Sequence, residues 1–441
     1  MKFSTIEQAL EWVSCQTSQS PFASLEKVKV ALDYLGNPHH DLPVIHITGT
    51  NGKGSTTAFL RDLLQSQGLK VGTFTSPHIM KFNERIGFDG ANISDEDLLL
   101  VINKMWEVNE YLGQSPYGRL VFFELYTVMG AYYFYLKQPD VCLIEVGIGG
   151  YSDATNVYKG QLAIITTIGL DHGDKLGSTV EAIAYEKSGI IKEDAKVVTG
   201  NLPESCLAIM EMKAGLENAQ LHIYDQDYKV HYVKKCQEAG SAFMWSNQTY
   251  ENIQVAISMI GSHQVHNACV AIQAFSLWMD QVIGQVIQWQ PALEAIHKTS
   301  WLARMESIHQ KPLIYIDGAH NVAGLKALNR MMQEYFKDYS YTIIYAGLST
   351  KNQAEQLPYL LEFGAQDTFL TEFEHMKAMT ADDYDHLEDE EDFVLPQMVD
   401  WRTYIKEYLA NYQGDDKHLL LLTGSLYFVS EVREFVVNHT K

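Results

Sequence analysis

Short, almost wholly apolar runs alternate with amphipathic stretches along most of the chain. Such runs are typical of parallel β-strands that are buried on both faces, and the amphipathic stretches between them predict crossover helices. The alternation therefore predicts an α/β fold with a mostly parallel sheet. The strand candidates are Val44–Thr48, Val71–Thr75, Val141–Val146, Leu162–Ile168, Lys196–Thr199, Leu313–Ile316, Thr342–Ala346, Thr368–Thr371 and His418–Thr423.

Two stretches interrupt this alternation of strands and helices and indicate how the chain is divided into domains. From Tyr224 to Val255 polar and apolar residues alternate, which predicts a small antiparallel patch at an edge of the sheet. Near Leu293–Arg304 a helical pattern ends, and a new strand-first pattern begins at Leu313. A chain of 441 residues is also too long for one ordinary domain. We therefore predict an N-terminal domain of residues 1–298 and a smaller α/β domain of residues 299–441.

Composition and charge exclude several classes of protein. The formal charge of −22 argues against a general affinity for nucleic acid or for anionic membranes. Five scattered cysteines without a CxxC pair predict reduced thiols in the cytoplasm. The N-terminus has no apolar signal segment, and no run approaches transmembrane length. The acidic stretch Asp382–Asp392 is predicted to be a solvated loop. We expect a cytoplasmic protein that binds neither nucleic acid nor membrane.

The most informative run is Ile45–Thr56, in which β-favouring residues lead into a glycine-rich turn and then an amphipathic stretch. A strand, a tight turn and a helix N-terminus in this order form a phosphate site, because backbone N–H groups and the helix dipole attract an anion. Lys53 supplies a positive charge, and Ser55 or Thr56 offers a hydroxyl to Mg²⁺. Gly54 is an extra residue relative to the common phosphate-loop pattern, and a plain glycine turn is the alternative interpretation.

Several other polar residues have two interpretations. Glu145 ends an apolar strand before a glycine-rich turn, where ligands of open α/β sheets bind, so it is placed to hold a metal. His172 follows another apolar strand at the same predicted edge. The alternatives are a solvated acid for Glu145, a structural histidine for His172 and a surface charge for Lys187. For Asp317 and His320, after the strand at Leu313, the alternatives are a helix cap and a surface imidazole.

A set of short motifs in a fixed order gives the chain a family resemblance. They are GTNGKGS at Gly49–Ser55, TSPH with NERI at Thr75–Ile86, FFE at Phe122–Glu124, EVGIGG with DATN at Glu145–Asn156, GLDH with EKSGIIK at Gly169–Lys192, HQ with NA at His263–Ala268, DGAHN at Asp317–Asn321 and TGSLY at Thr423–Tyr427. Over about residues 25–435 the chain resembles the folylpolyglutamate synthases, which include enzymes that are also dihydrofolate synthases, within the Mur-ligase-like, ATP-dependent amide ligases. The resemblance implies a P-loop ATPase-like N-terminal domain and a Rossmann-like C-terminal domain.

The resemblance implies a site for ATP and two Mg²⁺ ions that is completed by residues from the second domain. The implied ATP-binding residues are Gly49, Thr50, Asn51, Gly52, Lys53, Gly54, Ser55, Thr56, Gln264, Asn267, Arg304, Asp317 and His320. The implied metal ligands are Ser55, Glu145, His172 and Lys187, the last after carbamylation by CO₂. The implied catalytic residues are Lys53, Glu145, His172 and Lys187.

The resemblance also implies a folate site. Its residues would be Thr75, Ser76, Pro77, His78, Asn83, Glu84, Arg85, Phe123, Glu124 and Tyr151. An ordinary strand-to-helix loop is the alternative for residues 75–86, and core packing is the alternative for the phenylalanines. The chain departs from the family pattern at Tyr151-Ser152, where an arginine is usual, at Trp301–Arg304, and at Gly173 and Lys175. These departures bear on which form of folate is accepted.

The implied activity is the ATP-dependent addition of L-glutamate to the terminal carboxylate of a folate through an acyl phosphate. Three alternatives stay open at this stage. The enzyme could also join glutamate to dihydropteroate, it could be another Mur-type amino-acid ligase, or it could be a non-catalytic nucleotide-binding module. The expected partners are the small-molecule substrates folate, L-glutamate and ATP, and the family default is a monomer.

Overall fold

The computed structural model describes residues 2–16, 25–171, 173–236, 240–391, 394–414 and 417–439. The strands of these residues are β1 Val44–Thr48, β2 Val71–Phe74, β3 Ile86–Phe88, β4 Ala91–Asn92, β5 Val141–Glu145, β6 Leu162–Ile165, β7 Lys196–Thr199, β8 Gln220–Ile223, β9 Tyr228–Cys236, β10 Gly240–Asn247, β11 Ile253–Ile257, β12 Glu306–Gln310, β13 Leu313–Ile316, β14 Ser340–Tyr345, β15 Asp367–Leu370 and β16 His418–Thr423. The α-helices are α1 Ile6–Ser14, α2 Leu25–Tyr34, α3 Lys53–Gln65, α4 Asp95–Leu112, α5 Phe122–Lys137, α6 Gly173–Leu176, α7 Val180–Ser188, α8 Glu204–Leu216, α9 Ser262–Leu277, α10 Trp289–Lys298, α11 Val322–Tyr335, α12 Gln353–Leu361, α13 Ala381–Glu391, α14 Trp401–Ala410 and α15 Leu426–His439. Short 3₁₀ turns span Phe82–Arg85 and Ala154–Val157, and a π turn spans Trp278–Val282.

The largest sheet has eight strands in the order β4-β3-β2-β5-β1-β6-β7-β8. From β2 to β8 all neighbours are parallel, while β3 runs antiparallel to β2 and β4 to β3. Strand β1 lies inside the sheet, and all five of its residues are buried, as expected for a parallel strand covered on both faces. The predicted α/β fold class is confirmed, and β1 delivers the glycine-rich turn to the carboxyl edge of the sheet.

Helix α3 packs its apolar face under this edge. Its buried residues include Phe59, Leu60, Leu63 and Leu64, which recur at helical spacing. Each such side chain contributes about 1.5–3 kcal/mol on burial. The helix that begins at the phosphate loop is therefore held firmly against the sheet.

The structure divides into two compact units. The first contains Met1–Val233, Phe243–Ala256 and Val265–Thr299, and the second contains Lys234–Ala242, Ile257–Gln264 and Ser300–Lys441. The predicted domain division at residue 298 remains a prediction, and the sequence pattern gave no sign of the two short segments in the second unit. The second unit has its own five-stranded sheet, in the order β12-β13-β16-β14-β15.

Of two further details of the sequence interpretation, one is confirmed and one was wrong. The alternating stretch forms the predicted small antiparallel patch, which is a three-stranded sheet, β11-β10-β9, separate from the eight-stranded one. The stretch from Asp382 was predicted to be a loop, but α13 forms there. Asp383 and Thr380 cap that helix reciprocally, and Tyr384 on it is buried in the core of the second unit. No helix within the described ranges is both long and apolar enough to cross a membrane.

Candidate functional site

The glycine-rich turn after β1 wraps into the first turn of α3. Gly52 is the residue before the helix, with a φ of +87°, a conformation that L-residues with side chains rarely adopt. A Cβ on Gly52 would lie 2.4 Å from Oδ1 of Asn267. The first amides of α3 have no carbonyl partner within the helix, so they can bind an anion. The turn therefore has the geometry of a phosphate loop, with the predicted residue Asn267 beside it.

Lys53 and two hydroxyl residues complete the loop. The Lys53 ammonium donates to the carbonyl oxygen of Gly49 at 3.0 Å. Ser55 and Thr56 are buried in the first turn of α3, and the Thr56 hydroxyl has no hydrogen-bond partner among the described residues. A cation and hydroxyl groups thus lie where the sequence motif predicts them.

Two threonines that the sequence analysis did not single out hold the loop in place. Thr166 Oγ1 donates to the carbonyl oxygen of Asn51 at 2.6 Å, and Thr167 Oγ1 accepts from the Asn51 amide at 2.9 Å. The Thr50 amide donates to the Thr167 carbonyl at 2.8 Å. A Cβ on Gly49 would lie 1.9 Å from Thr166 Oγ1, so this contact requires glycine. The polar pair directly after the apolar strand β6 was the available sequence signal.

Glu145 lies at the same edge of the sheet as the phosphate loop. It is the last residue of β5, pairs in register with Ile47 of β1, and is 4% exposed. Its carboxylate therefore belongs to the strand next to the one that delivers the loop. The carboxyl edge thus brings together the predicted metal residues Ser55 and Glu145.

Lys187 is buried near the end of α7. Burial, followed by the charge of Lys53, lowers the pKa of its ammonium group to about 7. The charges of Asp171, Asp153 and Glu186 act in the opposite direction. A lysine with this pKa is partly neutral near pH 7, and a neutral amine is a nucleophile.

The turn after β5 packs directly on the helix that carries Lys187. The amide of Tyr151 donates to the Glu186 carbonyl at 2.8 Å, and a Cβ on Gly150 would lie 2.4 Å from the same oxygen. The ring of Tyr151 stacks on Tyr185, with centroids 5.1 Å apart. Tyr151, one of the residues at which the sequence departs from the motif pattern, therefore contacts α7.

The predicted ligand His172 lies outside the described residues. Asp171, next to it, is described and influences Lys187 electrostatically. Oxygen ligands, namely a carboxylate and a hydroxyl, suit Mg²⁺, which usually takes one or two protein carboxylates together with phosphate oxygens. Ser55 and Glu145 fit that preference. Within the described ranges, no group of three or more His, Cys, Asp and Glu side chains is arranged to hold a metal ion.

One of the predicted folate residues, Arg85, is buried among three aromatic rings. The Arg85 guanidinium lies 5.3–5.6 Å from the ring centroids of Phe82, Phe122 and Tyr126. Its Nε donates to His78 Nδ1 at 2.7 Å. Burial, followed by the charge of Arg85, lowers the pKa of His78 to about 4, so His78 is the neutral acceptor that this bond requires. Sequence reasoning identified Arg85 and His78 but not the aromatic cage.

Other predicted folate residues have structural partners. The Glu84 carboxylate accepts from the amides of Ile79, Met80 and Lys81, which closes the loop after Pro77. Thr75 contacts the same loop, since its hydroxyl donates to the Glu84 carbonyl at 3.3 Å. The Ser76–Pro77 peptide bond is cis.

Three more of these residues lie in well-packed surroundings. The side-chain amide of Asn83 donates to the carbonyl oxygen of Ile93 at 2.8 Å. Glu124 is buried, caps α5 through the Val121 amide and forms an ion pair with Lys27 at 2.9 Å. A Cβ on Gly147 would lie 2.4 Å from the ring of Phe123, so this ring packs on the turn after β5.

The remaining predicted residues lie in the second unit. Asp317 follows β13 and accepts from the amides of Met305 and Ala319 at 2.9 Å each. Burial raises the pKa of Asp317, while Arg304 lowers it. His320 Nδ1 bonds with the Gly318 carbonyl at 2.8 Å. Gln264, which lies in the first turn of α9 and belongs to this unit, is buried.

Comparisons with known proteins identify relatives over nearly the whole chain. The family model for the Mur ligase middle domain matches residues 127–275. The dihydrofolate synthase/folylpolyglutamate synthase of Bacillus subtilis is 33% identical over 435 residues, which cover 98% of this chain and 99% of that protein. The folylpolyglutamate synthase of Lacticaseibacillus casei is 36% identical over 329 residues, which cover 74% of this chain and 76% of the relative.

Solved structures agree with these sequence relatives. The apo form of FPGS from L. casei has a TM-score of 0.85 and 30% identity, and covers 98% of this chain and 100% of its own. A complex of FPGS with AMPPCP and folate has a TM-score of 0.80 and 29% identity, with the same coverage. Those proteins therefore share this chain's architecture from end to end.

Proposed function

Since the chain belongs to the folylpolyglutamate synthase and dihydrofolate synthase family of Mur-type ligases, we propose that it is the ATP-dependent ligase that adds L-glutamate to folate. The observation that carries this proposal is the phosphate loop beside Glu145 and the buried Lys187 at one carboxyl edge of the sheet. The predicted family and ligase class agree with the names of the relatives. The predicted binding of ATP agrees with the solved complex of FPGS with the ATP analogue AMPPCP.

The chemistry begins with the terminal carboxylate of the folate. Its oxygen attacks the γ-phosphorus of ATP, the bond to the β–γ bridging oxygen breaks, and ADP leaves. The α-amine of glutamate then attacks the acyl phosphate carbon, loses a proton, and expels inorganic phosphate to leave the amide. The protein lowers the activation free energy in two ways. It stabilises the charge on the transferring phosphoryl group, and it aligns the reactants.

The residues of the phosphate loop supply most of that stabilisation. Lys53 and the first amides of α3 place positive charge and N–H donors toward the γ-phosphate. Thr166 and Thr167 keep the loop in this conformation before substrate binds. The loop is thus preorganised, and ordering it during the reaction costs little entropy.

We further propose that Ser55, Glu145 and His172 hold Mg²⁺ and that Lys187 is carbamylated. Mg²⁺ would neutralise charge on the phosphate oxygens. Carbamylation joins the neutral Lys187 amine to CO₂ and releases one proton, giving a carboxylate-like ligand. Support for this comes from the burial of Lys187 and the proximity of Lys53.

Arg85 and its aromatic cage are proposed to line the folate side, together with the other predicted residues of that loop and with Phe123 and Tyr151. A guanidinium held by rings offers both a cation and a flat surface to a conjugated acceptor. The nucleotide roles of Gln264, Arg304, Asp317 and His320 stay predictions. A monomeric state, a cytoplasmic location and the lack of nucleic-acid or membrane partners are also proposals.

The decisive experiment measures phosphate release from MgATP and glutamate with two acceptors in parallel. Release with tetrahydrofolate alone indicates a dedicated chain-extending synthase. Release with both tetrahydrofolate and dihydropteroate indicates a bifunctional enzyme, as the name of the B. subtilis relative describes for that protein. No release with either acceptor, while the nucleotide still binds, contradicts the proposed substrate.

A further inference from the structure

A histidine in the middle of the phosphate-loop strand has no role in the chemistry described above. His46 is the central residue of β1, pairs in register with Ile144 and Ala163 on its two sides, and is fully buried. Burying a polar ring inside a sheet costs free energy unless the ring is hydrogen-bonded. The hydrogen bonds of the ring therefore indicate its structural role.

The contacts of His46 fix both its tautomer and the direction of a hydrogen-bond chain. Its Nε2 lies 2.9 Å from Thr155 Oγ1, and that hydroxyl donates its only hydrogen to Asp153 Oδ1 at 2.5 Å. Thr155 must therefore accept from His46, so the ring carries its proton on Nε2. Burial lowers the pKa of His46 to about 3, which keeps the ring neutral.

The chain of hydrogen bonds from His46 ends at the turn that follows Glu145, the proposed metal ligand. Asp153 Oδ2 accepts from the Ile148 amide at 2.9 Å, and the carboxylate also accepts from the Gly147 amide. These amides come two and three residues after Glu145. The imidazole of β1 is thus connected through Thr155 and Asp153 to the backbone at the carboxyl end of β5.

A second side chain on the same face of β1 also contacts the turn after β5. Thr48 lies two residues after His46, so both side chains project from one face of the strand. The Thr48 hydroxyl donates to the Gly149 carbonyl at 2.8 Å. The phosphate-loop strand therefore holds the turn after β5 at two points, Gly147–Ile148 and Gly149.

We propose that His46 is a positioning residue that, through Thr155 and Asp153, fixes the Glu145 end of β5 relative to the phosphate loop. This inference rests on the proposed function, in which Glu145 holds the Mg²⁺ that accompanies ATP. Hydrogen-bond partners one step beyond a metal ligand typically change metal affinity 10–100-fold when removed. Since His46 acts through two intermediates, the lower end of that range, about tenfold, is expected.

The test measures how binding of the non-hydrolysable analogue AMPPCP depends on Mg²⁺, by calorimetry, without folate or glutamate. His46→Leu and Thr155→Val should each raise the half-saturating Mg²⁺ concentration about tenfold. His46→Gln keeps an N–H donor near the position of Nε2 and should restore most of the parental value. The double variant His46→Leu/Thr155→Val should show about the same tenfold change, because both substitutions interrupt one chain.

Thr199→Val is the matched control for the loss of a buried hydroxyl. Thr199 ends β7, is fully buried, and its hydroxyl has no partner among the described residues. The control should leave the Mg²⁺ dependence unchanged. The inference is overturned if the His46 and Thr155 variants lower the melting temperature but leave the Mg²⁺ dependence of binding at its parental value, since that is a purely structural role.

Failure of the proposed function gives a different result. If the parent protein binds the analogue with Mg²⁺ but releases no phosphate with either folate acceptor, the function fails and the positioning inference is still decided by the binding data. If Mg²⁺ has no effect on analogue binding by the parent, the inference itself is overturned, whatever the ligase assay shows.

Discussion

The ammonium group of Lys53 donates a hydrogen bond to the carbonyl oxygen of Gly49, 3.0 Å away, so the lysine folds back over its own loop. This contact holds the charge near the first turn of α3 before nucleotide binds. Lys53→Ala should lower kcat by about 10²–10³, because it removes a preorganised charge that stabilises the transferring phosphoryl group. Steady-state phosphate release measures the change.

Lys159→Ala is the control for that measurement. Lys159 is largely exposed, and its ion pair with Glu193 is long at 3.8 Å, so its removal should leave turnover unchanged. Near-normal turnover of Lys53→Ala would contradict the assignment of the phosphate loop.

Gly52→Ala should abolish measurable nucleotide binding. The new Cβ would lie 2.4 Å from Asn267 Oδ1, in addition to the strain at a φ of +87°. Gly68→Ala separates the two effects, because Gly68 has a φ of +83° but open space around it. The control should lose about 1–2 kcal/mol of stability and retain binding. Fluorescent-nucleotide titration and urea unfolding measure the two quantities, and equal loss of binding in both variants would contradict the steric argument.

Arg85→Lys should raise the KM for the folate acceptor and leave the KM for ATP unchanged. A lysine keeps the charge but loses the flat guanidinium that the three rings surround. Loss of this interaction should cost about 2 kcal/mol of folate binding, which corresponds to an approximately 30-fold change in KM. Arg119→Lys, at an exposed arginine, is the control. A parallel rise in both KM values would show that Arg85 supports the whole structure instead of the folate side.

Lys187 should carry CO₂ in the active enzyme. Protein prepared in CO₂-depleted buffer should have reduced kcat, and bicarbonate should restore it. After ¹³C-bicarbonate is added, NMR should show one carbamate signal that Lys187→Ala lacks. Activity that is indifferent to CO₂, together with no carbamate signal, would contradict carbamylation.

Acid should destabilise the protein partly through His46. The pKa of this histidine is about 3 in the folded chain against an ordinary value of 6.5, so between these values the unfolded chain binds more protons. Stability therefore falls as the pH is lowered through this window, and one such group contributes about 2 kcal/mol between pH 7 and pH 5. His46→Gln should reduce the loss by about that amount in urea unfolding at the two pH values. Identical losses in parent and variant would contradict a buried neutral imidazole.

The residues of the site that the sequence predicted each belong to a short motif that is local along the chain. Gly49 to Ser55 carry their geometry in consecutive residues, and the alternation of apolar strands with helices predicted the α/β class. Contacts between distant residues were not predictable, because no local pattern records them. Thr166 against Asn51, and Lys27 against Glu124, are pairs of this kind. The helix at Asp382 was missed because its cap and its buried Tyr384 outweigh the charge pattern.

Strand β1 pairs with β5, about a hundred residues later, and with β6, later still. Closing such long loops costs entropy before any contact is gained. During synthesis, the glycine-rich segment can therefore form its contact with Thr166 only after 115 further residues have been added to Asn51. The nucleotide site thus assembles well after its signature has been translated.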